Sequence, residues 1–179
     1  MATEAKLRQL ADKGCPVYYF YSSERYLVRQ AVAAATRILT ADSDEDATVL
    51  DGAAPEIEQL IMAAGTISFF GTRRVVVLPE VEPGGYGDKD LEELCSTLAS
   101  LENAVVVLGS VFELERNKLK MSKRAQKLIA QCKALGYTEE LAKPKPFELK
   151  VMMIDRAKEQ GATLPEGAAT ALLERCGED

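Results

Sequence analysis

The 179-residue chain contains no histidine. Without an imidazole it can build no Ser-His-Asp or Cys-His couple, no HExxH zinc site and no proton shuttle titrating near neutrality. Its four cysteines, Cys15, Cys95, Cys132 and Cys176, form no CxxC pair. Their wide spacing predicts reduced, mostly buried thiols of a cytosolic protein, not a disulfide frame or a zinc knuckle. No apolar run approaches the ~18 residues of a membrane span. Glu4, Lys6 and Arg8 stand where a signal peptide needs its apolar core, so a cytoplasmic location is expected. A GxxxxGK[ST] phosphate loop is also missing, and with it the glycines, lysine and hydroxyl that cradle a triphosphate and its Mg²⁺.

What is present describes a globule. Hydrophobic residues make up 47% and charged residues 28%, enough apolar surface to offset chain entropy, and the length suits one ordinary domain, or one domain plus a fragment. Twenty-two Lys and Arg against 28 Asp and Glu leave a net charge of −6, so any nucleic-acid contact must come from a local patch.

Five β-rich runs recur along the chain: Val17–Tyr21, Ala47–Asp51, Arg74–Leu78, Ala104–Leu108 and the weaker Gly136–Glu140. Their apolar residues are continuous, not alternating, which predicts strands covered on both faces of a parallel sheet. Helical patterns lie between them. Ser22 or Ser23 is expected to cap a helix with Leu27, Ala31, Ala34 and Ile38 on one stripe. Pro55, at a first-turn position, opens another with Ile57, Leu60, Ile61 and Ala64. Asp88 or Asp90 starts a third, with Leu91, Leu94, Leu98 and Leu101. A fourth is expected from Leu119 to Lys133, turning Met121, Ala125, Leu128 and Cys132 inward. Alternation of strand and helix gives the fold class: α/β, a doubly wound five-stranded parallel sheet with right-handed crossovers, spanning residues 1–141. Pro144 and Pro146 read as a linker. From 142 to 179 the pattern is helical, with helices over 147–160 and 165–175 closed by Gly161 and Gly177. Two helices are too few to bury a core, so this small domain is expected to be incomplete.

Several segments imitate functional motifs. Tyr21–Glu24 falls where a nucleotide-binding protein places its phosphate loop, yet Glu24 sets a negative charge there. Pro79 stands where a Walker-B strand supplies its Asp. Gly84–Asp90 resembles a dinucleotide loop with Asp90 in place of the third glycine, and is expected to be a flexible surface loop. Asp42–Asp46 imitates a calcium loop, but Ala47 sits at the obligatory glycine and Ala53 where the bidentate Glu belongs; a solvated turn is expected. No metal and no cofactor is assigned. Arg116–Lys127 concentrates basic residues without a single acid. Lys120, Lys123, Arg124 and Lys127 are expected on the outer helix face, either solvated or touching DNA phosphates. Phe69 and Phe70 are adjacent, so one is expected to pack inward and the other to remain available outside.

Pro16–Arg29, Phe69–Leu78, Leu101–Leu108, Lys143–Leu149 and Ala168–Asp179, in this order and spacing, resemble the N-terminal half of the delta subunits of bacterial DNA polymerase III clamp loaders. These are AAA+ proteins with a degenerate nucleotide site. The resemblance implies a non-catalytic subunit that binds the ring-shaped sliding clamp (beta) and opens it for loading onto primed DNA, while sister subunits hydrolyse ATP. Thr66, Ile67, Ser68, Phe69 and Phe70 are similar to the family's clamp-binding motif, with Thr66 departing from its Gln. The family's C-terminal collar, which joins the other loader subunits, is missing from these residues. Two alternatives stand beside this reading: a divergent nucleotide-binding ATPase of the same fold, and an α/β interaction module unrelated to replication.

Overall fold

Valine-rich runs become strands because β-branched and aromatic side chains pack well on a pleated surface. The structure, a computed structural model of the chain, describes residues 4–41, 43, 45–65, 73–116 and 118–176. Its strands are β1 (Val17–Ser22), β2 (Thr48–Val49), β3 (Arg74–Leu78), β4 (Ala104–Val111), β5 (Leu114–Glu115), β6 (Lys118–Leu119) and β7 (Tyr137–Glu140). Five of them form one sheet in the order β2-β3-β4-β1-β7, with every neighbouring pair parallel. The α/β class and the five parallel strands agree with the sequence pattern. β4 runs three residues beyond the expected Leu108, to Val111.

The helices are α1 (Glu4–Asp12), α2 (Arg25–Leu39), α3 (Ile57–Gly65), α4 (Asp88–Ser100), α5 (Lys123–Leu135), α6 (Pro146–Glu159) and α7 (Glu166–Cys176). Successive strand residues point to opposite faces. Tyr18, Phe20, Val75, Val77, Val105 and Val107 meet Leu7 of α1 and Leu27, Val28, Ala31, Val32, Ala35 and Ile38 of α2. On the other face Val17, Tyr19, Val76, Leu78, Val106 and Leu108 meet Leu60, Leu91, Leu94, Leu98, Leu128 and Cys132 of α3, α4 and α5. Each Val, Leu, Ile or Phe side chain so taken from water contributes about 1.5–3 kcal/mol.

The helix starts differ from expectation. Neither Ser22 nor Ser23 is the N-cap of α2; Glu24 is, and it makes no side-chain cap bond. Ser22 is fully buried, where its hydroxyl donates to the Leu141 carbonyl (2.6 Å) and accepts from the Glu24 N–H (3.1 Å). Pro55 precedes α3 by two residues, and its carbonyl accepts the Tyr86 hydroxyl at 3.0 Å. The expected helix from Leu119 begins only at Lys123. The Ser122 hydroxyl caps it by accepting from Ala125 N–H at 3.1 Å, while Leu119 belongs to the β5–β6 hairpin and Met121 to the connection. α1 carries Leu7, Leu10 and Ala11 at helical spacing, a pattern read above only for targeting.

The chain divides into two compact units, Met1–Ala142 and Lys143–Asp179. In the second, Pro146 opens α6, the Glu148 carboxylate accepts the Lys145 N–H (2.7 Å), and Gly161 takes φ +73° after the last turn. Ala169 is fully buried, and Lys150 pairs with Glu166 at 2.8 Å across the two helices. Gly177 lies outside the described residues. All four cysteines are free: Cys95 and Cys132 buried, Cys15 half-buried, Cys176 exposed. Among the described residues no helix is long and apolar enough to cross a membrane.

Gly109, in the centre of β4, shows how closely the layers approach. A Cβ there would lie 2.3 Å from the Pro79 carbonyl oxygen and 2.7 Å from Val28 Cγ1. Gly109→Ala is therefore expected to lower stability by at least about 1–3 kcal/mol. Gly84→Ala, whose Cβ meets nothing within 4 Å, should stay within about 0.5 kcal/mol of the parent, both read from urea midpoints.

Candidate functional site

In an open parallel sheet, ligands bind outside the carboxyl ends of the strands, where the strand order reverses. Here that point lies between β1 and β4, because β1 leads through α2 to β2 on one side and β4 leads through α5 to β7 on the other. The β1–α2 connection consists of Ser23 and Glu24 alone. Two residues cannot wrap a phosphate with converging N–H groups, and the Glu24 N–H already donates to Ser22.

The rest of this edge is filled by the protein itself. The Tyr19 hydroxyl donates to Ser110 Oγ (2.7 Å), and Ser110 donates to the Val81 carbonyl (2.6 Å). Burial pushes the Tyr19 phenol well above its usual pKa, so it remains a donor. Val81 N–H returns to the Gly109 carbonyl at 2.7 Å. Beside Pro79, Glu80 is held by Arg29 (2.7 Å) and Arg25 (3.5 Å), one turn apart on α2. Both arginines at the mouth of the crevice are thus committed to an internal carboxylate. The sequence reading missed this pair, because Glu80 lies 51 positions from Arg29 along the chain.

Gly84–Asp90 lies at the surface, exposed at every residue but Tyr86, with a 3-10 turn at Pro83–Gly85 and α4 opening at Asp88. Tyr86 is 5% exposed, packed in the core, and burial lifts its phenol to about 12. The Asp90 carboxylate accepts the Gly87 N–H (3.2 Å), an internal anion where a pyrophosphate would lie. Of the calcium-like segment, Asp42 and Asp44 lie outside the described residues, and Glu45 pairs with Arg74 at 3.2 Å.

The basic segment is split by the structure. Arg124 and Lys127 share α5 and reach across to α4, Arg124 to Asp88 (2.8 Å) and Lys127 to Glu92 (2.9 Å). The Arg124 guanidinium lowers the Asp88 carboxyl below its usual value. Any stabilisation from this pair is complete above the ordinary carboxylate pKa and fades as pH falls through the lowered one. Lys123 is exposed in the first turn of α5. Lys120 is not on the helix and pairs with Glu113 at 3.7 Å.

Thr66, Ile67, Ser68, Phe69 and Phe70 lie outside the described residues. Their flanks are described. α3 ends at Gly65 with Ile61 and Met62 exposed on its outer surface. Downstream, Arg73 donates to the carbonyls of Gly14 (2.8 Å) and Ala104 (2.9 Å), tying the start of β3 to the α1–β1 turn and to β4.

With this geometry in hand, the chain can be set beside known proteins. No protein-family model matches it, and neither does any curated protein. Among solved structures it is similar to the Bacillus subtilis DNA clamp loader delta protein, with a TM-score of 0.60 and 23% identity over 96% of this chain. It is also similar to a chain of the E. coli MS115-1 HORMA:CdnC:Trip13 complex, with a TM-score of 0.53 and 10% identity over 97% of this chain. The chain spans about half (52%) of the clamp loader protein and 69% of the other. At such identities the likeness establishes the fold.

The closed edge makes a direct prediction. Mg–ATP titrated calorimetrically against the chain should give no saturable heat; a saturable isotherm with unit stoichiometry would show that the two-residue turn opens.

Proposed function

We propose that the chain is a non-catalytic, cytoplasmic clamp-loader subunit of the delta type, which binds a sliding clamp and opens it for loading onto primed DNA while sister subunits hydrolyse ATP. The observation that carries the reading is a fold shared over 96% of the chain with a clamp loader delta protein, on a sheet whose carboxyl edge is closed. An ATPase needs that edge open. Here Glu24 caps α2, and Arg25 and Arg29 are spent on Glu80.

Thr66–Phe70 is the proposed clamp-binding segment, with Phe69 and Phe70 as the apolar plug and Ile61 and Met62 as exposed apolar neighbours in sequence. Arg73, bonded to two carbonyls, gives the downstream end a fixed anchor. Binding alone opens nothing. A segment with equal affinity for the closed and sprung clamp interface leaves their ratio unchanged, so opening requires preferential grip on the sprung one. Contacts with the other loader subunits are proposed through the AAA+-like α/β unit and through the family's collar region.

Aromatic anchors filling a pocket commonly contribute at least ~2 kcal/mol each. Phe69→Ala combined with Phe70→Ala is expected to weaken binding to a bacterial sliding clamp by about 10²–10³-fold in calorimetry, at ~1.4 kcal/mol per decade. The variant should keep the parent's far-UV circular dichroism, while loss of the inward Phe is expected to lower its urea midpoint. Unchanged affinity in the folded double variant removes the segment from the contact.

A further inference from the structure

Helix α1 closes in a Schellman motif: Gly14 takes φ +72° and its N–H donates to the Ala11 carbonyl (2.8 Å), while the Cys15 N–H donates to that of Leu10 (3.1 Å). This closure fixes Cys15 at the amino edge of the sheet, just ahead of β1. The thiol is half-buried and donates to the Val17 carbonyl at 3.4 Å. No other cysteine shares its place. Cys95 and Cys132 pack on the opposite face of the sheet, and Cys176 belongs to the second compact unit.

Two donors close to this edge lack acceptors. Tyr18 is 1% exposed, and its phenol oxygen is buried without a hydrogen-bond partner. Arg73 donates through its two terminal nitrogens to Gly14 and Ala104, yet its buried Nε also has no partner. Burial pushes the Tyr18 phenol well above its ordinary pKa, Cys15 and Asp12 beside it push further, and Arg73 draws it back. The phenol therefore keeps its proton and remains a donor. Buried polar groups are ordinarily paired, so an orphaned hydroxyl set against a sulfur calls for a reason. What it lacks is an acceptor atom at that sulfur.

We propose that Cys15 is a reversible oxidation site for hydroperoxides, and that the oxygen added to its sulfur accepts the Tyr18 hydroxyl, with the Arg73 guanidinium close by. The Cys15 proton passes to water, a sulfur lone pair attacks one peroxide oxygen, and an S–O bond forms as the O–O bond breaks. The departing hydroxide takes up a proton and leaves as water. Thiol and H₂O₂ thus become sulfenic acid and H₂O, with sulfur oxidised by two electrons. Two equivalents of a small thiol reverse the step, returning the Cys15 thiol with a disulfide and water. Because no second cysteine lies on this face, the sulfenic acid is not drawn off into an internal disulfide. Oxidising a half-buried thiol ordinarily loosens a fold; completing a missing hydrogen bond reverses that sign. The inference is independent of the clamp reading and of Phe69 and Phe70.

The test treats the full chain with hydrogen peroxide, traps sulfenic acid with dimedone and locates the adduct by peptide mass spectrometry, melting temperatures being read on untrapped samples. Dimedone is expected on Cys15, and dithiothreitol added before trapping should prevent it. Oxidation should raise the melting temperature of the parent by about 2–4 °C, the effect of one added buried hydrogen bond in a chain of this length. The same treatment should give no rise in Cys15→Ala, nor in Tyr18→Phe, which keeps the ring and removes the hydroxyl. Reduced Y18F should melt at or above the parent, since an unpaired buried group is gone. No adduct at Cys15, an oxidised parent melting at or below the reduced one, a rise retained in C15A or Y18F, or a reduced Y18F melting below the parent would each overturn the proposal.

Discussion

Strands β1 and β4 lie side by side in the middle of the sheet, hydrogen-bonded on both edges and covered by helices on both faces. Everything at their carboxyl ends is subject to that burial, because a polar group there costs about 1–3 kcal/mol if left without a partner. Ser22 and Ser110 are both fully buried. One is satisfied through Leu141 and Glu24, the other through Tyr19 and Val81. These bonds join the ends of β1, β4 and β7 and the turn after β3 into one connected edge. In a nucleotide-binding relative of such a sheet the equivalent donors are left for a phosphate. Here the Ser22, Tyr19 and Ser110 hydroxyls and the Glu24 N–H are all spent on the protein itself.

Where side chains decide structure by packing, the sequence was legible. Val75–Leu78 and Ala104–Leu108 announced strands buried on both faces, and the sheet places them side by side in parallel register. Where backbone chemistry or charge decides, it was less so. Ser122 ends the reach of the helical pattern before Leu119 because a hydroxyl that accepts the Ala125 N–H fixes the first turn, and a preceding hairpin takes the residues that looked helical. The hairpin itself is two residues per strand, too short for any period to register. Gly84–Asp90 looked loose because three of its residues are glycine, while the one aromatic among them, Tyr86, pins it to the core. The ion pairs of Arg25, Arg29, Arg124 and Lys127 join residues more than 30 positions apart, a separation that no local reading resolves.

The distribution of charge follows the same logic. Five basic residues on α2 and α5, Arg25, Arg29, Arg37, Arg124 and Lys127, are matched to acids elsewhere in the fold, and exposed pairs of this kind add at most about 1 kcal/mol each. Their greater effect is to cancel potential: they turn a segment that looks basic in sequence into a neutral helix face. Of the remaining basic residues in this stretch, Arg116 and Lys118 are exposed at the hairpin and Lys123 at the start of α5.

A sheet that has closed its own ligand edge still offers rigid attachment points, and rigidity is what a subunit acting by binding alone requires. Work on a partner comes from the difference between two binding free energies, and a mobile support would absorb that difference as its own rearrangement. Arg73 illustrates the point. Its two bonds to backbone carbonyls tie the start of β3 to the α1–β1 turn and to β4. Arg74, where β3 begins, is braced in turn by Glu45 at 3.2 Å.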